Sequence, residues 1–362
     1  MVSAAAVIGG ALLVGLTLVD VFQSVIVPRA EDTAIRLSRY LIRFMWRIWP
    51  RLAYLLHPRS ADRRENFLGI YAPLVLVVVL IAWVLVLLSG WGLIFYGIRD
   101  QLHPGGLSFA DCVYFAGASL LTIGYGDITP FGMPARVLAV IAAASGLGVV
   151  AIVISFLFAI FGSFQRRETF VVTIGARAGV PPSGVGLLEV HAIAGIRSDL
   201  AQVFREAQQW TAEVMESHLA YPILVYFRSS HDYESWVGTL GALMDAASLV
   251  MSTLDPQRLE NVQTRGQARI MYELGRHLVS DFCDYFNLAR TDLSAGVERS
   301  EFDRACEHLR DEGYDILDAD SSWNRFAELR SAYASALNIM ARWLEIPPVQ
   351  WVGDRSMISP HV

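Results

Sequence analysis

The chain holds no lysine: all 29 of its basic residues are arginine. We read that bias as genome composition rather than mechanism. Cysteine is scarce as well, with Cys112, Cys283 and Cys306 the only three. They lack metal-ligand spacing, and two of them fall in a segment expected to be cytoplasmic, so a disulfide framework is not expected. No nucleophile elbow, paired-cysteine motif or phosphate loop is present. The expectation is therefore a protein that is not an enzyme and has no cofactor. No strand followed by G-x-G-x-x-G can be traced, which argues against a nucleotide-binding domain of that kind. Charge is missing over two long stretches, Phe67 to Ile98 and Val137 to Phe164, in a chain that is 54% hydrophobic. Each stretch exceeds the roughly 20 residues that a helix needs to cross a bilayer.

A third apolar run, Ala4 to Val27, is interrupted once, by Asp20. No positive charge precedes it, unlike a secretory signal, so it reads as a retained membrane helix. Asp20 is costly in lipid and should face a partner helix or water, as a helix contact or as part of an ion pathway. Between Arg29 and Glu65 nine arginines stand against four acids, which places that segment in the cytoplasm and the N-terminus outside. The run from Phe67 then goes outward and the run from Val137 returns. Residues 1–168 carry a net charge of +4 and residues 169–362 a net charge of −10. The acidic part is not expected to seek nucleic acid or anionic lipid.

Between the two long runs lies "GGLSFADCVYFAGASLLTIGYGDITP". Ser108 and Asp111 have capping-box spacing, so a helix should start there and run to about Leu121, too short to cross the membrane. It must dip in and stop. Irregular backbone at membrane depth is tolerated only where it is buried in protein or lines a water-filled path. The residues Thr122, Ile123, Gly124, Tyr125 and Gly126 offer no charge, only carbonyls and one hydroxyl. Gly124 and Gly126 can take positive φ freely, which lets successive carbonyls point the same way and replace the hydration shell of a monovalent cation. Asp127 would concentrate cations at the outer mouth.

The sequence Thr122-Ile123-Gly124-Tyr125-Gly126-Asp127 resembles the signature of the potassium-channel pore family, and the resemblance covers roughly Phe67 to Phe164. It implies that K+ is the permeant ion, held by the carbonyls of Thr122, Ile123, Gly124 and Tyr125 with the Thr122 hydroxyl. It implies a homotetramer too, since one chain supplies one filter strand. Tyr114 and Phe115 fall where the family often braces the filter tyrosine, and Gly146 at its common inner-helix hinge. Ala118 replaces a glutamate found in some members, and Leu121 a frequent threonine. Inactivation behaviour therefore does not carry over.

On the inner helix, Ile154, Phe158 and Phe161 share one face. They form a candidate hydrophobic gate, with a lipid-facing surface as the alternative. Arg36, Arg39, Arg43, Arg47 and Arg51 lie within an arc of roughly 120° on a helix. Together with Trp46 and Trp49 they read as an interfacial helix on anionic headgroups. A voltage sensor is the sharper alternative, against which stand the irregular spacing, Pro50 and the lack of helices with counter-charges.

From Thr169 onward a short β-prone piece, "TFVVTIGARAG", and a turn, "GVPPSGVG", precede helices expected over Ile196 to His218, Asp232 to Leu254, Arg265 to Leu288, Ser300 to Gly313 and Ser322 to Leu344. Glu273, His277, Asp281 and Asp284 share a helix face that either binds a divalent metal or forms an ordinary ion-paired surface. His218, His231 and His308 stand alone and read as ordinary satisfied histidines.

The expected fold is an all-α membrane protein in four segments. These are an N-terminal membrane helix (1–28), a cytoplasmic arginine-rich helix (29–66), a pore domain of outer helix, re-entrant helix, filter and inner helix (67–168), and a mainly helical cytoplasmic domain (169–362). Function is expected to be K+ conduction across the cell membrane, with the gating stimulus and any regulatory ligand unidentified. The alternative is a membrane-anchored signalling or scaffold protein with a non-conducting pore-like domain.

Overall fold

The computed structural model describes residues 2–27, 37–229, 234–288 and 296–346, and its fold is helical as expected. Arg36 and His231 lie outside the described residues. The chain divides into two compact units, one of Met1–Gly162 with Ala220–Phe227, the other of Ser163–Leu219 with Arg228–Val362.

The first unit contains α1 (Val2–Val25), α2 (Leu37–Leu56), α3 (Ala61–Gly69), α4 (Tyr71–Gly97), α5 (Phe109–Leu120) and the first part of α6 (Met133–Ala178). Three helical stretches, Ala4–Val25, Ala61–Gly97 and Met133–Ala178, are long and apolar enough to cross a membrane. The helix α1 lies against α4 because both carry glycine at the crossing. A Cβ on Gly10 would collide with the Gly90 carbonyl, so the two backbones approach as only small residues allow.

Asp20 is 3% exposed. It accepts hydrogen bonds from Trp83 Nε1 at 2.7 Å, from the Ser38 amide at 3.1 Å and from Ser38 Oγ at 2.9 Å. Three donors from two other elements offset the desolvation of one carboxylate. The Ser38 amide of α2 thus finds its acceptor in Asp20, on another helix.

The arginine-bearing α2 is not a free surface helix. Trp46 is buried against Tyr71 with ring centroids 4.7 Å apart, Trp49 stacks on Phe67 at 4.5 Å, and the Tyr71 hydroxyl donates to the Ile42 carbonyl at 2.6 Å. This fixes α2 along α3 and α4. Two further faces stay open, one bearing Arg43, Arg47 and Arg51, the other Leu37, Phe44, Ile48 and Leu55.

The second unit begins inside α6. The β-prone piece after Thr169 is in fact helix, because α6 runs unbroken to Ala178. Buried Val171, Ile174 and Ala178 recur at helical spacing, and that burial overrides the local preference for strand. The turn follows, and Ser183 then caps α7 (Gly184–Ile193), a helix absent from the expected set. The helices α8 (Leu200–Ala220), α9 (Trp236–Ser252), α10 (Thr264–Phe286) and α11 (Arg299–Asp311) match expectation closely. The last expected helix is split into α12 (Ala319–Ser331) and α13 (Ala334–Trp343). At the break sits Tyr333, 1% exposed, whose hydroxyl meets Asp245, itself held by Arg330 Nε at 2.8 Å. The bundle closes around α9, most of whose residues are buried.

A second buried polar group sits at the start of this unit. Arg167 donates to Glu168 Oε1 at 2.9 Å and lies 3.1 Å from His218 Nε2. Arginine can only donate, so Nε2 is the acceptor and the ring proton sits on Nδ1. Burial and the neighbouring guanidinium hold His218 well below the usual histidine range, hence neutral.

Candidate functional site

The re-entrant helix α5 starts as the sequence requires. Ser108 Oγ accepts from the Asp111 amide at 3.3 Å, while Asp111 accepts from the Ser108 amide at 2.8 Å. Its inner face, with Cys112, Phe115, Ala116 and Leu120, joins a core with Trp91 and Phe95 of α4. The helix is thereby wedged between outer and inner helices.

Where α5 ends, the next residues fold back on its last carbonyls. The Ile123 amide donates to Ala118 O at 2.8 Å, and the Thr122 amide to Ser119 O at 3.1 Å. From there, left-handed backbone recurs at every second residue: φ is +55° at Thr122, +63° at Gly124 and +83° at Gly126. Two of these three positions are glycine, the residue without steric cost there, while Thr122 takes a conformation that is uncommon for a side chain with a branched Cβ. Such alternation is the backbone condition for carbonyls aligned along one side of a strand. The mouth is tied back by β1 (Leu102–His103), which pairs antiparallel with β2 (Thr129–Pro130).

Tyr125 and Tyr114 stack with planes 4° apart and centroids at 6.3 Å, and the Tyr114 hydroxyl lies beside the Asp127 carboxylate. Phe115 turns away from Tyr125 and meets Phe95 edge-on at 4.8 Å. Of the expected aromatic pair, only the Tyr114 ring stacks on Tyr125 among the described residues. Ile123 and Tyr125 are exposed at 47% and 68%, so among the described residues this strand is largely uncovered along that side.

Gly146 lies inside an unbroken helix, and a Cβ there would collide with the Leu120 carbonyl at the end of α5. In this conformation it is a point of close contact and not a bend. One residue before it, Ser145 Oγ accepts from Trp91 Nε1 at 3.1 Å, linking outer and inner helices. Ile154, Phe158 and Phe161 are all open, at 49%, 77% and 47% exposure, and one edge of Phe161 meets Phe227 at a centroid distance of 6.2 Å.

Three members of the set Glu273, His277, Asp281 and Asp284 are seen in ordinary pairs. Glu273 accepts from Arg276 at 3.0 Å, and His277 faces Asp281 at 3.7 Å. Among the described residues no group of three His, Cys, Asp or Glu could hold a metal ion.

Local motifs made the capped start of α5 and the left-handed backbone at Gly124 and Gly126 legible. The partners of Asp20, Ser145 and Phe161 were not, since each is far away along the chain.

Residues 74–163 match the family model described as "Ion channel". The matched stretch runs from α4 through the apolar part of α6, about a quarter of the chain, and is similar to that family there. The chain is 22% identical over 247 residues to the "Uncharacterized membrane protein YdjJ" of Bacillus subtilis (strain 168), covering 67% of this chain and 69% of that protein. No solved structure matches it.

Proposed function

We propose that the chain is one subunit of a K+-selective homotetrameric channel in the cell membrane. The observation that carries this reading is the alternating left-handed backbone at Thr122, Gly124 and Gly126, placed after a capped helix too short to span and between two helices that do. Carbonyls of Thr122, Ile123, Gly124 and Tyr125, with the Thr122 hydroxyl, replace the hydration shell of K+, and Asp127 gathers cations at the outer mouth. One strand offers oxygens from one side only. The exposure of Ile123 and Tyr125 and of the apolar residues Val140, Leu147 and Phe158 on α6 supports further copies around a common axis. The N-terminus lies outside and the second unit in the cytoplasm, as the arginine excess before Glu65 argues. Arg43, Arg47 and Arg51 meet anionic headgroups beside the apolar face of α2. Ile154 and Phe158 narrow the inner mouth and gate by dewetting.

The test is a planar bilayer with opposed K+ and Na+ solutions. The expected reversal potential lies near that of K+, and Gly124→Ala loses the selective current. Within its own chain a Cβ on Gly124 would meet nothing, and the expected cause is a φ of +63° that alanine resists. A wild-type current that does not distinguish K+ from Na+ overturns the reading.

A further inference from the structure

We infer that residues Tyr221 to Phe227 form an aromatic clasp on the inner helix, through which rearrangement of the second unit reaches the gate. The inference rests on the channel reading above and adds its control point. The chain leaves the second unit after Leu219, contributes Ala220–Phe227 to the first, and re-enters the second at Arg228. A connection of this kind normally runs over the surface. Here Ile223, Leu224, Val225, Tyr226 and Phe227 are each at most 5% exposed, held in a short 3-10 turn over Pro222–Tyr226.

Three rings of the segment make edge-to-face contacts with three different helices. Tyr221 meets Phe156 of α6 at 5.6 Å, and Phe227 meets Phe161 of α6 at 6.2 Å. Tyr226 sits between Trp46 of α2 and Tyr71 of α4, at 4.9 and 5.4 Å. Phe156 and Phe161 are five residues apart, about 140° around the helix. The two rings therefore hold α6 from two sides, and exposed Phe158 lies between them in sequence. A helix gripped in this way cannot turn or swing without breaking aromatic contacts.

Both flanks of the segment are fixed within the second unit. Ahead of it, His218 is hydrogen-bonded to Arg167 at 3.1 Å. Behind it, Arg228 donates to the Leu344 carbonyl at 2.6 Å and the Glu345 carbonyl at 3.1 Å. A ligand or partner that rearranges α8 or the end of α13 must therefore displace a flank, and the clasp with it. The two-state element is the grip itself, closed or released.

The test locks the grip in the full-length protein. Cysteines replace Phe161 and Phe227, and a short bis-methanethiosulfonate bridge, reversible by reductant, joins them; the unmodified protein and each single cysteine variant receive the same treatment. Single-channel recording is expected to show opening and closing rates at least tenfold lower in the bridged protein, recovering on reduction, with the reversal potential unchanged. A bridge that fails to form, or one confirmed by mass that leaves the rates within twofold of the control, overturns the clasp while the channel reading stands. Absence of any current in the unmodified protein overturns the channel reading instead, and hydrogen exchange over residues 150–163 then judges the clasp. Exchange at least tenfold faster in Y221L/F227L supports it, and unchanged exchange rejects it.

Discussion

Asp20 and His218 are both polar side chains with almost no solvent contact, 3% and 0% exposed. The first collects donors and stays in place as an acceptor. His218 instead stays neutral, because burial and then the Arg167 guanidinium penalise its protonation. The unfolded imidazole takes up its proton near pH 6.5, the folded one only well below that. Below about pH 6.5 the unfolded chain therefore binds more protons, and stability falls by up to about 1.4 kcal/mol per pH unit per such histidine. It is fully present above that pH. His191, held low chiefly by burial, adds a second contribution of the same sign. His218→Gln is expected to flatten the slope between pH 6.5 and 5 in part, leaving that of His191. Unfolding of the solubilised protein at a series of pH values measures it, and an unaltered slope would show that His218 does not carry the linkage.

Elements of this molecule start and stop for reasons of unequal legibility. The caps of α5 and α7 are written in adjacent residues, Ser108 with Asp111 and Ser183 with the Gly186 amide. Caps and glycine positions act within one turn, and so the start of α5 at Ser108 and the left-handed backbone at Gly124 and Gly126 could be read without a structure. The Ser38 amide of α2 is held by Asp20, the break between α12 and α13 sits at the contact of Tyr333 with Asp245, and α6 continues past Thr169 with Val171 and Ile174 buried. Asp20 and Asp245 lie 18 and 88 residues from the groups that they hold. The clasp was unread for the same reason: "YPILVYF" has the look of a connection, and only its partners at Trp46, Tyr71, Phe156 and Phe161 explain its apolar composition. Removing the remote acceptor should tell. Asp20→Leu leaves the Ser38 amide and the Trp83 indole without their acceptor, at a cost of about 1–3 kcal/mol. Asp20→Asn, which keeps one acceptor oxygen, is expected to fall between the two in thermal unfolding in detergent. Equal midpoints for all three proteins would remove the Asp20 hydrogen bonds from the stability of the first unit.

At the scale of the whole molecule, a filter strand open along one side is half of an argument that other copies complete. The mass of the detergent-solubilised protein, corrected for bound detergent, is expected to be about four times that of one chain. A monomer under mild extraction would leave the filter oxygens without the opposing set that cation binding needs. The carboxylate in the first helix has a further consequence, in time. Trp83, its shortest hydrogen-bond donor, follows Asp20 by 63 residues. At about 5–20 residues per second the chain needs roughly 3–12 seconds to supply that indole. During synthesis, then, the acid in the first helix gains its donors in two steps, the amide and hydroxyl of Ser38 first and the indole only when the outer helix has been made.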